Sequence, residues 1–82
     1  MICVQFYARY REALGLEAER LEWRAAFARV DDLRQYLLAR GDAWEVLGEQ
    51  NLMCARNQEL CSLDEPLVDG DEVAFFPTVT GG

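Results

Sequence analysis

Three groups of residues in this 82-residue sequence carry reactive atoms: three cysteines, several neighbouring carboxylates, and the two glycines that close it. Cys3, Cys54 and Cys61 lie far apart and form no Cys-x-x-Cys pair. A zinc site or a thioredoxin-like redox motif is therefore not expected, and the thiols read as reduced and structural. Histidine is absent, which removes the commonest general base near neutral pH and the commonest metal ligand. No Ser-His-Asp or Cys-His arrangement can be assembled without it. The pairs Asp31–Asp32, Asp64–Glu65 and Asp69/Asp71–Glu72 read as a helix cap, a turn and the flank of a turn. No metal site is expected.

The end of the sequence carries the stronger signal. From Val73 to Gly82 there is no charged side chain, although 28% of the residues are charged. The expectation is a domain over residues 1–77 and an extended, flexible tail over 78–82. Thr78, Val79 and Thr80 favour extended backbone. Gly81 and Gly82 have no side chain, so this segment can pass through a channel too narrow for one. Five residues beyond Pro77 reach about 17 Å when extended. A terminal carboxylate on Gly82 is a handle rather than an electrophile. Transfer of AMP from ATP would turn it into a mixed anhydride, which a sulfur nucleophile can open.

The elements that hold this end in place are legible as periods. Ile2, Val4, Phe6 and Ala8 alternate with Cys3, Gln5 and Tyr7, as in a half-buried strand. "YREALG" reads as a short helix closed by Gly15. Leu21 and Trp23 share the apolar face of a second strand, giving an opening hairpin. "VDDLRQYLLARGD" is the main helix, capped by Asp31 or Asp32, with Val30, Leu33, Tyr36 and Leu37 as its apolar stripe and Arg40–Gly41 as its end. "AWEVLG" adds one turn anchored by Trp44 and Leu47. "LMCAR" and "ELCSL" form a hairpin about an Asn57-Gln58 turn, which sets Cys54 opposite Cys61. A reversible disulfide between them is the lesser reading. After a turn at Asp69-Gly70, "EVAFFP" is the last strand, with Val73 and Phe75 inward, Phe76 outward and Pro77 ending it.

This order gives an α+β fold of the β-grasp kind: a mixed sheet of about four to five strands packed against one main helix. The first and last strands are then neighbours. Tyr7 and Phe76 fall on one exposed face, joined by Leu60, and form a docking patch beside the root of the tail.

Composition narrows the partners. The net charge is -7, from 15 acidic and 8 basic residues, and all the basic residues are arginine. Such a surface repels phosphate backbones and anionic lipid, so neither nucleic acid nor membrane is an expected partner. Without lysine the chain can form neither a Schiff base nor a side-chain isopeptide. The N-terminus shows no basic-then-apolar leader, and the expected compartment is the cytoplasm.

"FYARYREALG", "ARNQ" and "PLVDGDEVAFFPTVTGG" together resemble the small subunit of molybdopterin synthase, the MoaD-type sulfur carriers of the ubiquitin-like β-grasp family. The resemblance runs along essentially the whole chain. It implies that Gly82 is adenylated by an E1-like, MoeB-type enzyme consuming ATP, then converted to a thiocarboxylate with the help of a sulfur donor protein. It implies no permanently bound cofactor. The tail residues Thr78, Val79, Thr80 and Gly81 would enter the large synthase subunit, which supplies the catalytic residues and with which the carrier forms a heterotetramer. Tyr7, Leu60 and Phe76, with Pro77 beside them, would contact that partner. Sulfur would pass to cyclic pyranopterin monophosphate. Thr78 stands where the family commonly has a second proline, which would loosen the tail root, and Tyr7 where it commonly has phenylalanine. Carriers for thiamine, tRNA or cysteine pathways and ubiquitin-like modifiers share the pattern, and a non-catalytic interaction module is the alternative of another class.

Overall fold

The computed structural model describes residues 1–78; the expectations for Val79, Thr80, Gly81 and Gly82, including the flexibility of the tail, lie outside them. Five strands form one mixed sheet: β1 (Ile2–Phe6), β2 (Ala18–Leu21), β3 (Met53–Arg56), β4 (Glu59–Cys61) and β5 (Glu72–Phe76). The order across the sheet is β2-β1-β5-β3-β4, with β1 and β5 parallel and every other pair antiparallel. The first and last strands therefore lie side by side, as the β-grasp reading expects.

One face of the sheet is the core. Ile2, Val4 and Phe6 of β1 and Val73 and Phe75 of β5 are each no more than 1% exposed. They meet α2 (Val30–Leu38), whose Val30, Leu33 and Leu37 repeat every three or four residues and are fully buried. Each such side chain contributes about 1.5–3 kcal/mol by leaving water. Tyr36 lies at the rim of this stripe, edge-on to Phe27 at 5.2 Å. A 3-10 segment (Asp42–Gly48) follows and seals the end of the core with Leu47 and Trp44, whose ring stands edge-on to Phe6 at 5.6 Å.

Four local readings are corrected. The β1 alternation stops at Phe6: Ala8 is exposed and has φ 55° and ψ -134°. The Tyr10 N–H donates to the Tyr7 carbonyl at 3.2 Å, so residues 7–10 form a turn that starts the helix α1 (Arg9–Leu14). The second strand lies at 18–21 rather than around Leu21–Trp23. Leu21 already faces Ile2, the first residue of β1, so beyond it no partner strand remains. Trp23 instead leaves the sheet and packs against Phe27. The cap of α2 is Arg29; Asp32, three residues in, reaches back to its N–H at 2.9 Å, while Asp31 pairs with Arg34 at 3.3 Å. The last helical residue is Leu38, and Gly41, with φ 76°, turns the chain into the 3-10 segment.

At the start of β5 sits a charged cluster that the periods did not announce. Asp71 is 5% exposed and is the buried acidic residue of the core region. Its carboxylate accepts from the Val68 N–H at 2.8 Å, Arg56 Nε at 2.8 Å and Asn57 Nδ2 at 3.0 Å. Asn57 and Gln58 both have positive φ, as a two-residue hairpin turn requires, and Asn57 also pairs with the Glu72 backbone through its N–H and its side-chain oxygen. The β3–β4 hairpin is thereby pinned to β5.

Candidate functional site

The outward face of the sheet is built around two alanines. Across four strands the register aligns Gln5, Ala74, Ala55 and Leu60. The small residues in the middle leave a depression, and larger side chains rise around it. Tyr7 and Phe76 close one end, Leu60 one side, and Gln5, Glu72 and Gln58 the remainder, around a cavity of about 280 Å³. Tyr7 is 46% and Leu60 68% exposed, far above what such side chains need for stability. Tyr7, Leu60 and Phe76 are thus brought together. Pro77 is not part of this surface: it is buried, since it ends β5 by turning inward.

Polar groups orient the aromatic rim. Gln5 donates from Nε2 to Glu72 at 2.9 Å and accepts from the Tyr7 hydroxyl. Tyr7 is also held through its backbone, whose N–H donates to the Phe75 carbonyl at 3.2 Å. The hydroxyl that distinguishes it from phenylalanine has a partner within this chain, leaving the ring face free. The sequence placed Gln5 on the outward face and read Glu72 as the flank of a turn; their contact is revealed only by the parallel register of β1 and β5.

Beside the groove lies the root of the tail. β5 ends at Phe76, Pro77 is buried and Thr78 is exposed. The Thr78 hydroxyl donates to the backbone carbonyl of Asn51. Asn51 belongs to a turn closed by the Leu52 N–H on the Glu49 carbonyl at 3.3 Å. Glu49 in turn receives two parallel bonds from Arg9, each 2.6 Å, and one from the Tyr10 hydroxyl at 2.7 Å. Arg9 and then Tyr10 hold the Glu49 carboxyl below the usual carboxylate range. Burial, then the Glu49 charge, push the Tyr10 phenol up. Arg9, Glu49, Gln50, Asn51 and Thr78 line a second, polar depression. The expectation of a loosened root at Thr78 is corrected by its bond to Asn51.

The other chemical groups stay structural. Cys54 and Cys61 face each other across the β3–β4 ladder with sulfurs 3.8 Å apart, as the hairpin register demands. Burial, then the neighbouring Cys61, pushes the Cys54 thiol up to about 12, and burial raises Cys61 as well. Both remain protonated at neutral pH and are poor nucleophiles. Among the described residues no three Cys, Asp or Glu side chains gather to hold a metal ion. The carboxylate pairs disperse: Asp32 caps, Asp64 meets Arg29 at 3.2 Å, Asp69 takes the N-terminal amine, and Asp71 is walled in by its cluster. No helix among the described residues is long and apolar enough to cross a membrane. What this arrangement offers is an open, partly apolar groove and, next to it, a hydrogen-bonded Thr78.

The chain is similar to known proteins in sequence and fold. The ThiS family model matches residues 4–82. The molybdopterin synthase sulfur carrier subunit of Escherichia coli (strain K12) is 51% identical over 83 residues, covering all of both chains. Among solved structures, SAMP1, the small archaeal modifier protein 1 of Haloferax volcanii, superposes with a TM-score of 0.79 at 30% identity, covering 99% of this chain and 98% of that one. A chain in the protein–protein complex of subunits 1 and 2 of the molybdopterin-converting factor from Helicobacter pylori superposes with a TM-score of 0.66 at 28% identity, covering 99% and 97%.

Proposed function

This chain belongs to the ThiS family, and from that premise we propose that it is the sulfur carrier subunit of a molybdopterin synthase. The observation that supports this most is the full-length likeness, at 51% identity, to a protein of that role. The site supports it too. The groove formed by Tyr7, Leu60 and Phe76 suits an apolar side chain of a large subunit, and the tail root beside it directs the last residues toward the same partner.

In this reading the carrier performs no acid–base chemistry of its own. An adenylating enzyme of the MoeB type joins AMP to the Gly82 carboxyl at the expense of ATP, releasing pyrophosphate. A sulfur donor protein then displaces AMP, leaving a thiocarboxylate. Residues Thr78 to Gly81 carry that group into the large subunit, where sulfur passes to cyclic pyranopterin monophosphate. Gly81 and Gly82 suit the task because a carbonyl flanked by no Cβ is open to attack. The acidic surface, net -7, favours partners with basic surfaces and speeds encounter with them.

Incubation with such an adenylating enzyme, ATP and a sulfur donor should raise the intact mass by the difference between sulfur and oxygen. A protein whose mass never changes under these conditions, and which releases no pyrophosphate, is not a sulfur carrier. The likeness to a small archaeal modifier favours a second reading, attachment to other proteins through Gly82. Isopeptide adducts on lysines of other proteins, in place of sulfur transfer, would select it.

A further inference from the structure

We infer that Thr78, Asn51 and Glu49 form a latch that fixes the backbone at the root of the tail, and that they are positioning residues for activation of the terminal glycine. The inference rests on the carrier reading and goes beyond it by assigning roles to residues outside the docking groove.

The latch can be followed bond by bond. Leu52 is 8% exposed and anchors one side of the 49–52 turn in the core. Glu49 anchors the other, through its three bonds to Arg9 and Tyr10 of α1. Tyr10 is itself fully buried, so Glu49 is tied to a fixed point of the fold. The Leu52 N–H closes the turn onto the Glu49 carbonyl. Asn51, between these anchors, presents its carbonyl oxygen, and the Thr78 hydroxyl donates to it. The buried Pro77 fixes the residue before. Threonine is stiff about χ1, so a bond at its hydroxyl also restrains the backbone that carries it. Two successive residues, Pro77 and Thr78, are thereby held.

The consequence concerns binding rather than chemistry. A tail root already held in one conformation has less freedom left to lose when a partner takes it up. Once seated, it is held by the partner, so the latch no longer matters to the chemical step. Loss of the hydroxyl should therefore raise KM and leave kcat unchanged. The net worth of a single hydrogen bond sets the size of the effect at about two- to ten-fold.

The test measures pyrophosphate release by the adenylating enzyme as the concentration of the full-length carrier is varied. Thr78→Val, which keeps the shape and removes the donor, should raise KM about two- to ten-fold at constant kcat. Thr78→Ser, which restores the donor without the β-branch, should recover most of that change in KM. Glu49→Gln should raise KM less, and combined with Thr78→Val should add less than its separate effect, because both act through one turn. Thr78→Val with wild-type KM, or Thr78→Ser with the KM of the valine variant, overturns the latch. If the wild-type chain itself releases no pyrophosphate, the carrier reading is what fails. The latch is then decided by the backbone amide order parameters of Thr78 and Asn51. They should fall in Thr78→Val and recover in Thr78→Ser, and values unchanged in Thr78→Val overturn it.

Discussion

The two ends of β5 use the same pair of side chains for different purposes. At its start Arg56 meets Asp71, which is 5% exposed and accepts four hydrogen bonds. At its finish Arg9 meets Glu49, with side chains 54% and 36% exposed. A carboxylate shut off from water by its donors is costly to remove, because the buried donors are left without an acceptor, even though Arg56 itself is 29% exposed and keeps Glu65. An arginine–carboxylate pair in water is worth little to stability. The first end therefore holds the fold. The second can carry the groove, the turn and the tail root, and can change its contacts when a partner arrives. Changes at Asp71 should move unfolding, and changes at Glu49, Thr78 or Phe76 should move partner binding.

Asp71→Ala gives the largest contrast. It strips the Val68 N–H and Asn57 of their common acceptor, leaves Arg56 only Glu65, and should lower stability by about 2 kcal/mol, read from the midpoint of urea unfolding. Glu49→Ala, which takes one acceptor from the Tyr10 hydroxyl and otherwise only an exposed ion pair, should move that midpoint less. Equal shifts from the two substitutions would erase the distinction between the ends. Acid sharpens it. Burial alone pushes the Asp71 carboxyl up, but Arg56, the Val68 N–H and Asn57 outweigh burial and leave it below its ordinary value. A carboxyl depressed in the folded state adds stability above its unfolded pKa, about 3.9, and that stability is lost as pH falls through the folded value. Wild-type stability should thus decline on acidification below about pH 4, with a shallower decline in Asp71→Asn.

Phe76→Ala comes next and belongs to the other end. The ring is half-buried on the outward face, beside the exposed Tyr7, where an aromatic anchor has the most to gain from a partner. Its removal should weaken binding to a molybdopterin synthase large subunit by about 2 kcal/mol, roughly 30-fold, measured by calorimetry. The unfolding midpoint should shift less than it does for Asp71→Ala. A loss of binding that merely tracks loss of folding would make Phe76 part of the core after all.

The sequence revealed one of these ends far better than the other. Alternation placed Phe76 and Tyr7 outward and Phe75 and Phe6 inward, because a strand's two-residue period ties each side chain to a face. The Asn57-Gln58 turn fixed Cys54 opposite Cys61 for the same reason: a two-residue loop sets register. The main helix was legible from Val30, Leu33 and Leu37. What escaped were contacts with no period. Asp71 looked like the flank of a turn, since nothing nearby in sequence marks Arg56 as its partner. Glu49 and Asn51 sit in a turn whose importance lies in which strand end it adjoins. Pro77 was assigned to the docking surface with its neighbours, yet it turns inward where β5 stops. The second strand was placed three residues late because Leu21 and Trp23 alternate well, and only the length of β1 shows where pairing must end.

The smallest expected effect lies at the junction between the groove and the latch. Ala8 follows Tyr7 and precedes Arg9, and its φ of 55° with ψ of -134° is backbone that glycine adopts readily and alanine does not. Holding a residue with a Cβ there costs about 1–3 kcal/mol. Glycine removes that strain but adds freedom to the unfolded chain, worth about 0.5–1 kcal/mol in the opposite direction. Ala8→Gly should therefore stabilise the protein by about 1 kcal/mol, seen as a higher unfolding midpoint. Tyr7 is held independently, by its N–H on the Phe75 carbonyl and its hydroxyl on Gln5, so affinity for the large subunit should not change. A variant that is more stable but binds more weakly would show that the strain at Ala8 helps aim Tyr7 into the groove. The finishing end of β5 and its neighbours would then be trading stability for recognition, and the contrast with the Asp71 end would become one of purpose as well as of exposure.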